Sequence, residues 1–385
     1  MKAPERLLLI TLAAGVMTAC GVTPTNEEVN SQASQAAQEQ VPETPAQWQM
    51  AADSGEIQAG WVESFNDPEL SALIIEAQEN NRELAAAAAN VDVAWALARQ
   101  AGAALVPTVG LTGGAARGGT LNSSSSASTN LTLGAQVSWE ADVWGRLRSG
   151  ERAAIAGAQA VEADFRSAQE SLAAATAKAY FTAIESNIQT EIARDTVRIL
   201  EEMKRIVSVQ YDNGQASAQD IALARSDLAS SRERLTSIES SFRDAVRAVE
   251  VLIGRYPGAT LELRETLPAA PPPPPAGLPS ELLERRPDIV AAERRVAAAF
   301  NATNQARAAR LPTISLTGNL STASGALSSL LDSSNVGWST GINLLAPIFD
   351  GGVLRENVTI ATAEQERSLA QFGQAATNAF RELES

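Results

Sequence analysis

Few residues in this chain could carry out catalytic chemistry. The sequence of 385 residues contains no histidine and a single cysteine, Cys20, which excludes histidine-dependent triads, Cys/His zinc sites and a disulfide framework. Two carboxylates, Glu140 and Asp142, stand two residues apart in an alternating segment, where they would share one strand face and could act as an acid and base pair. The same spacing fits two side chains that face water. We therefore predict no enzyme, no metal and no cofactor.

Cys20 follows a segment typical of export signals. Two basic residues near the amino terminus precede an apolar run from Leu7 to Val16, which is too short to span a bilayer, and Ala19 stands directly before the cysteine. This arrangement resembles a bacterial lipoprotein box, in which the cysteine becomes the acylated first residue of the mature chain. The alternative is an ordinary signal peptide with an incidental cysteine. We predict lipidation at Cys20.

The charge balance argues against a nucleic-acid partner. Thirty Lys and Arg residues stand against 45 Asp and Glu residues, so the formal charge is −15, whereas nucleic-acid binding needs a basic surface. Aromatic residues make up only 4% of the chain. Its frequent Ala, Gln, Glu and Ser residues favour long helices over an aromatic-filled core.

The chain contains two copies of one unit. An offset of 205 residues aligns Pro107–Gly113 with Pro312–Gly318, and an offset of 207 residues aligns Gly145–Arg148 with Gly352–Arg355. Each copy is predicted to be a helix, two strands and a helix. The run Pro271–Pro275 separates the copies and cannot be helical.

These features predict the following division of the chain. It begins with a lipoprotein signal peptide at 1–19 and an acylated segment at 20–60. The first repeat, at 61–254, contains a β-hairpin at 107–143 and a long helical hairpin at 147–253. A proline-rich linker at 255–280 leads to the second repeat at 281–385, which contains a β-hairpin at 312–349 and a helix that stops at 385.

The predicted strands alternate between apolar and polar residues. From Leu131 to Val143 every odd position is apolar, and the strands of the second copy keep the alternation. Such a pattern fits a half-buried soluble sheet, but segments of about ten residues also match tilted strands that cross a bilayer. Aromatic residues near strand ends favour the membrane, as an interfacial girdle made of Trp139, Trp144, Trp338 and Phe349.

Four strands per chain cannot close a barrel. Open sheet edges are not tolerated in lipid, so several chains would have to combine their strands. Three chains would supply twelve strands, which predicts a homotrimer in contact with membrane lipid.

The helices after the first hairpin are long. No proline lies between Pro107 and Pro257, so helix can run from about residue 147 to 211, where a turn at 211–215 reverses the chain. Apolar residues then recur every seventh position from Ile221 to Val249. The preceding helix is predicted to pack against this heptad seam through Ile192, Thr196, Ile199, Met203 and Ile206. The two helices should therefore form an antiparallel coiled coil.

Four motifs resemble those of the TolC-like outer-membrane efflux channels, and in particular their NodT-type lipoprotein branch. They are the opening motif at Trp61–Ile74, the strand-to-helix junctions at Ser138–Arg146 and Pro347–Gly352, and the stretch Leu278–Ile289. Within that stretch the residues with a structural role are Pro279, Arg285, Arg286, Pro287 and Asp288.

The resemblance implies a trimeric α-barrel of long antiparallel helices below a shared twelve-stranded β-barrel, mainly α with a membrane β contribution. It also implies that the protein is the outer-membrane duct of a tripartite efflux pump that exports small molecules or drugs. The duct would be lipid-anchored, in contact with outer-membrane lipid, and would continue into the periplasm as a helical tunnel. Its partners would be a periplasmic adaptor protein and an inner-membrane pump driven by protons. The adaptor-facing tip would comprise Tyr211, Asn213, Gly214, Ser217 and Asp220.

Alternative functions remain open from sequence alone. A lipid-anchored coiled-coil protein of the envelope would share the heptads, and a type I protein-secretion duct would share the family motifs. The second descending helix reaches Ser385, the counterpart of Lys178, about halfway to the second tip of the family. Either the sequence is a fragment of a longer protein, which we favour and which would supply the second turn and returning helix, or it is a natural truncation.

Overall fold

The structure is a computed structural model that describes residues 25–42, 60–119, 127–271 and 285–384. Outside these ranges lie the predicted signal peptide, the predicted lipidation site Cys20, and the linker residue Pro279. In chain order the elements are α1 (Asn26–Gln38), α2 (Pro68–Asn80), α3 (Arg82–Ala103), β1 (Thr108–Gly118), β2 (Ser128–Ala141), α4 (Arg146–Asp212), α5 (Ala218–Leu252), α6 (Pro287–Ala308), β3 (Thr313–Ser324), β4 (Val336–Leu345) and α7 (Val353–Glu384). The predicted fold class, mainly helical with two β-hairpins, is confirmed.

The chain forms two compact units. Among the described residues, the sheet unit consists of 25–42, 91–119, 127–163 and 285–384, and the hairpin unit consists of 60–90 and 164–271. The sheet unit thus draws a β-hairpin from each predicted repeat. The division of the chain into two repeats and a linker stays a prediction about the sequence.

The hairpin unit has a core between α2, α4 and α5. Leu70 and Ala77 of α2 pack with Tyr180 and Ile184 of α4 and with Val249 of α5, and all five residues are fully buried. Val249 belongs to the predicted heptad seam of α5. Apolar residues at helical spacing therefore mark the buried face of α5, as the sequence indicates.

The predicted seam on α4 is not buried against α5, although Ile192 and Thr196 line the groove between the two helices together with Ile238. Its apolar residues are exposed, namely Ile192, Ile199, Met203 and Ile206, and so is Thr196. The buried positions in this stretch are Ala193 and Val197, and Arg194 forms an ion pair with Glu239 of α5 at 2.9 Å. Heptad spacing identifies an apolar face, but it does not tell which neighbour covers that face.

One four-stranded sheet forms in the sheet unit, with the order β1-β2-β3-β4 and every pair antiparallel. The pairing of β2 with β3 joins the two hairpins, with Trp139 opposite Leu316. The sequence predicts each hairpin but does not predict this contact.

Helices α6 and α7 pack against each other in the sheet unit, and α1 packs against α6. Ile289 and Val296 of α6 and Ala376 and Ala379 of α7 are fully buried. Within the described ranges, no helix combines the length and the apolar content that a membrane crossing requires.

Candidate functional site

The sheet has one apolar and one polar face. Because directly opposite residues of antiparallel strands point to the same side, the register places the alternating residues of all four strands together. The apolar face carries Val109, Leu111, Leu131, Leu133, Val137, Trp139, Ile314, Leu316, Leu320, Val336, Trp338, Ile342 and Leu344. The alternation read from the sequence thus produces a largely apolar surface, which also carries Arg117, Thr129, Thr322 and Thr340.

The polar face carries hydroxyl and amide groups. Its side chains include Thr108, Thr112, Thr132, Gln136, Ser138, Ser315, Thr317, Asn319, Ser321, Ser339 and Asn343. Thr108 and Ser138 share a hydrogen bond of 2.8 Å between their hydroxyl oxygens. Among the described residues of the four strands, Glu140 is the only charged side chain on this face. The face is therefore hydrophilic with little charge.

At the first strand-to-helix junction, the two carboxylates Glu140 and Asp142 both have structural partners. Arg146 donates to both oxygens of Glu140, with its Nη2 2.7 Å from Oε2 and 2.8 Å from Oε1. Asp142 accepts hydrogen bonds of 3.0 Å from the backbone N–H groups of Leu147 and Arg148. The carboxylate of Asp142 thus accepts hydrogen bonds from backbone amides that have no partner within α4, and its negative charge interacts favourably with the helix dipole.

The second junction repeats the aspartate cap. Asp350 accepts hydrogen bonds from the backbone N–H groups of Gly352 at 2.9 Å and Leu354 at 2.7 Å. Both bonds lower the pKa of Asp350 below its ordinary value, and the bond from Leu354 has the larger effect. Both junctions therefore start a long helix with the same device.

The four aromatic residues of the predicted girdle lie near strand ends, but in different environments. Trp144 donates its indole N–H to the carbonyl oxygen of Pro312 at 2.6 Å, and Trp139 donates to Leu105 at 2.8 Å. Trp338 is 77% and Phe349 is 91% exposed. Two of the four therefore fix the junctions through hydrogen bonds, and their membrane role stays a prediction.

The predicted tip residues form the turn between α4 and α5. The chain reverses at Gly214, whose φ of +74° favours glycine, and the N–H of Gly214 donates to the carbonyl of Tyr211 at 2.9 Å. The amide of Asn213 donates to the carbonyl of Val209 at 2.7 Å. These bonds close the carboxyl end of α4.

A capping box starts α5 on the other side of the turn. Ser217 donates its backbone N–H to Asp220 at 2.8 Å, and the N–H of Asp220 donates to the Ser217 hydroxyl at 3.2 Å. Hydrogen bonds from the hydroxyl and the backbone of Ser217 lower the pKa of Asp220. The turn is therefore fixed at both ends, and all five predicted tip residues are exposed.

The sequence profile of the outer membrane efflux proteins matches residues 73–255 and 278–385, which is more than half of the chain. The chain belongs to the outer membrane efflux protein family. It is similar to the pyoverdine export outer membrane protein OpmQ of Pseudomonas aeruginosa, with 34% identity over 396 residues that cover 99% of this chain and 80% of OpmQ. It is also similar to the cation efflux system protein CusC of Escherichia coli, with 33% identity over 84% of this chain and 71% of CusC.

Solved structures of the same family have this fold. A crystal structure of CusC superimposes with a TM-score of 0.80 at 30% identity, covering 89% of this chain and 79% of that chain. The outer-membrane channel OprN superimposes with a TM-score of 0.79 at 28% identity and the same coverage. This efflux protein is therefore an outer-membrane channel of efflux systems and not an enzyme, as the sequence predicts.

The family motif at the start of α6 has paired charges in this efflux protein. Pro287 is the first residue of α6, and Arg286 donates to Asp288 and to Glu382 of α7, both at 2.8 Å. The bond to Asp288 chiefly raises the pKa of Arg286, and the bond from Arg286 chiefly lowers the pKa of Asp288. The cluster joins α6 to α7, while Arg285 precedes α6 as an exposed residue.

A buried polar cluster at the start of α2 is only partly visible in the sequence. Asp67 caps α2 by accepting from the N–H of Leu70 at 3.2 Å, and it also accepts from Tyr180 at 3.1 Å and Arg264 at 2.8 Å. Burial raises the pKa of Asp67, but these hydrogen bonds lower it by more, so the pKa lies below its ordinary value. The sequence motif includes Asp67 but gives no signal for its two distant partners.

A second buried carboxylate, Glu250, lies near the end of α5. Its side chain accepts hydrogen bonds from the backbone N–H groups of Ala259 and Thr260, both at 2.7 Å, and of Leu261 at 3.0 Å. Glu250 is 1% exposed. It thereby fixes the segment that follows α5, which the sequence treats only as a linker.

Proposed function

We propose that three copies of this chain form one outer-membrane channel, and that the channel is the passive exit duct of a tripartite efflux pump. The observation that carries the proposal is the sheet, which has a largely apolar face and, among the described residues, an unpaired edge at β1 and at β4. Backbone groups cannot remain unpaired in lipid. Three sheets of four strands would form a closed barrel of twelve strands, with the apolar faces toward lipid and the polar faces toward water.

The turn between α4 and α5 supports the proposed pump partners. The turn between α4 and α5 presents Tyr211, Asn213, Gly214, Ser217 and Asp220 on the surface and is fixed at both ends by hydrogen bonds. We propose that this turn docks a periplasmic adaptor protein, which connects the duct to a proton-driven pump of the inner membrane. A rigid exposed turn suits this role because little conformational entropy is lost on docking.

Acylation at Cys20 would hold the channel in the outer membrane. A single lipid anchor binds a membrane weakly, so the anchor and the apolar sheet face would act together. The expected location is the outer membrane, with the helices forming a tunnel in the periplasm.

The expected cargo is small molecules of varied chemistry, including drugs. The relatives are described as exporters of pyoverdine, of cations and of toluene, which share neither charge nor polarity. The polar sheet face carries hydroxyl and amide groups, and its one carboxylate, Glu140, is paired with Arg146. Such a face hydrates many solutes without selecting one, which leaves selection to the pump.

Two measurements test the proposal. The full chain, purified in detergent, should migrate as a trimer on unheated gels and conduct ions in a planar bilayer. A monomer without conductance would contradict the duct and would favour a lipid-anchored coiled-coil protein. Deletion of the gene should raise drug susceptibility, whereas loss of a secreted protein alone would indicate a type I secretion duct.

The lipid anchor has a separate test. The mass of the mature protein should correspond to a chain that starts at Cys20 and carries acyl groups, and the variant Cys20→Ser should lack that added mass. An unmodified Cys20 in the mature protein would contradict lipidation without affecting the proposal of a duct.

A further inference from the structure

Arg117 is the only charged side chain on the apolar face, among the described residues of the four strands. It lies near the end of β1 opposite Thr129 of β2, and both residues are exposed. The other charged residue of this hairpin, Glu140, lies at the far end of β2 and pairs with Arg146. Within the described part of the chain, no carboxylate forms an ion pair with Arg117. Its positive charge therefore remains available to a ligand.

The register places Arg117 at the edge of the apolar face that lies away from the helices. Trp139 marks the opposite edge, where its indole N–H donates to the carbonyl oxygen of Leu105. Ten residues separate Trp139 from Thr129, the partner of Arg117. At about 3.4 Å per residue and a strand tilt of about 40°, they span about 26 Å across a membrane. The apolar band of an outer-membrane barrel is about 25 Å tall, so Arg117 falls where hydrocarbon gives way to lipid headgroups.

This position selects a phosphate-bearing ligand. A charge on the lipid-facing side of a barrel is destabilising at the bilayer centre but tolerated near the interfaces. In the proposed duct the helices lie in the periplasm, so the end of the sheet that carries Arg117 meets the outer leaflet. That leaflet of a bacterial outer membrane contains lipopolysaccharide, whose lipid A part has phosphate groups on its sugars and several acyl chains. A guanidinium binds phosphate through two parallel hydrogen bonds.

The apolar face next to Arg117 offers a surface for an acyl chain. The small residues Gly113 and Ala115 of β1 lie opposite Leu133 and Leu131 of β2. A Cβ atom at Gly113 would lie 3.8 Å from Cδ1 of Leu133, so the leucine borders the space that the glycine leaves.

We propose that Arg117 binds a phosphate group of lipopolysaccharide, and that the strip formed by Gly113, Ala115, Leu131 and Leu133 contacts one of its acyl chains. The proposal rests on the proposed duct, because the duct defines which leaflet meets Arg117. The lipid would be held at the outer rim of each chain's sheet.

Native mass spectrometry of the full chain, released from detergent micelles, measures this binding directly. The three titrants are lipid A with both phosphates, lipid A from which the phosphates have been removed, and phosphatidylglycerol. We expect lipid A with both phosphates to bind about tenfold more tightly than the dephosphorylated lipid, because only the former offers a charged partner to the guanidinium.

Variants assign this preference to one residue. Arg117→Gln should abolish it, and Arg117→Lys should retain part of it, because an ammonium group keeps the charge but not the paired hydrogen bonds. The matched control Arg225→Gln removes an exposed positive charge from α5 and should keep the whole preference. The unfolding temperature without lipid should be the same in all three variants, since both arginines are exposed.

The outcomes separate this inference from the duct. A full phosphate preference in Arg117→Gln would overturn the site. Equally tight, Arg117-dependent binding of phosphatidylglycerol would overturn the assignment to lipopolysaccharide in favour of a phospholipid headgroup. A trimer that conducts ions but shows no phosphate preference would refute the inference and leave the duct intact. A monomer without conductance would contradict the duct, and the placement of Arg117 in the outer leaflet would fail with it.

Discussion

Replacing Glu250 with glutamine should release the segment that follows α5. One carboxylate oxygen accepts from the N–H of Ala259, and the other accepts from the N–H groups of Thr260 and Leu261. A glutamine has one oxygen and one NH₂ group, so either orientation places a donor against a donor. An unmade hydrogen bond to a buried, charged acceptor costs about 2 kcal/mol, which corresponds to about thirtyfold in an equilibrium constant.

Hydrogen exchange of the amides at 259–261 measures this loss locally. In Glu250→Gln these amides should exchange about thirtyfold faster, whereas Glu233→Gln, an exposed position on the same helix, should leave them unchanged. Equal protection in the two variants would refute the role of Glu250 as the anchor of this segment.

The pH dependence of the same exchange gives a second test. Burial raises the pKa of Glu250, but the hydrogen bonds from Thr260, Ala259 and Leu261 lower it by more, so the pKa lies below its ordinary value of 4.5. A carboxylate whose pKa falls on folding adds stability above the pKa of the unfolded chain, and this stability is lost as the pH falls through the folded pKa. The segment should therefore remain protected at pH 4.5 and lose protection only below it.

At the first junction, Glu140→Gln leaves Arg146 without its carboxylate, so the reversal potential in a salt gradient should shift toward anion selectivity; an unchanged potential would place this pair away from the conducting path. Ser217→Ala removes a helix cap worth about 1 kcal/mol, so amides in the first turn of α5 should exchange about fivefold faster, with no change in α7. Trp144→Phe loses the hydrogen bond to Pro312, worth about 1 kcal/mol, and should lower the temperature at which trimers dissociate on gels; an unaltered temperature would show that this bond does not support the junction.

The sequence predicts the sheet faces and the tip because each depends on local spacing. Alternation with a period of two places Val137 and Leu316 on one face whatever the register of their strands, provided that the parity is kept. The turn at Gly214 and the capping box at Ser217 likewise depend on only a few consecutive residues. Such features can be predicted before any long-range contact is known.

The rest depends on which elements become neighbours. Tyr180 reaches Asp67 across 113 positions, and Arg264 reaches it across 197, and neither residue lies in a pattern that marks it. The face of α4 at Ile199 shows the same limit, since its apolar spacing is correct but α5 does not bury it. Helix periodicity fixes which residues share a face and leaves the identity of the covering surface open.

The pairing of β2 with β3 makes the two halves of the gene product interdependent. If the polypeptide were cut in the proline-rich linker, the rungs from Trp139–Leu316 to Leu131–Ser324 would become contacts between separate molecules. In the proposed trimer, two co-expressed fragments would then reassemble as six alternating chains. The contact between β2 and β3, which lies within one chain in the intact protein, would become a contact between subunits.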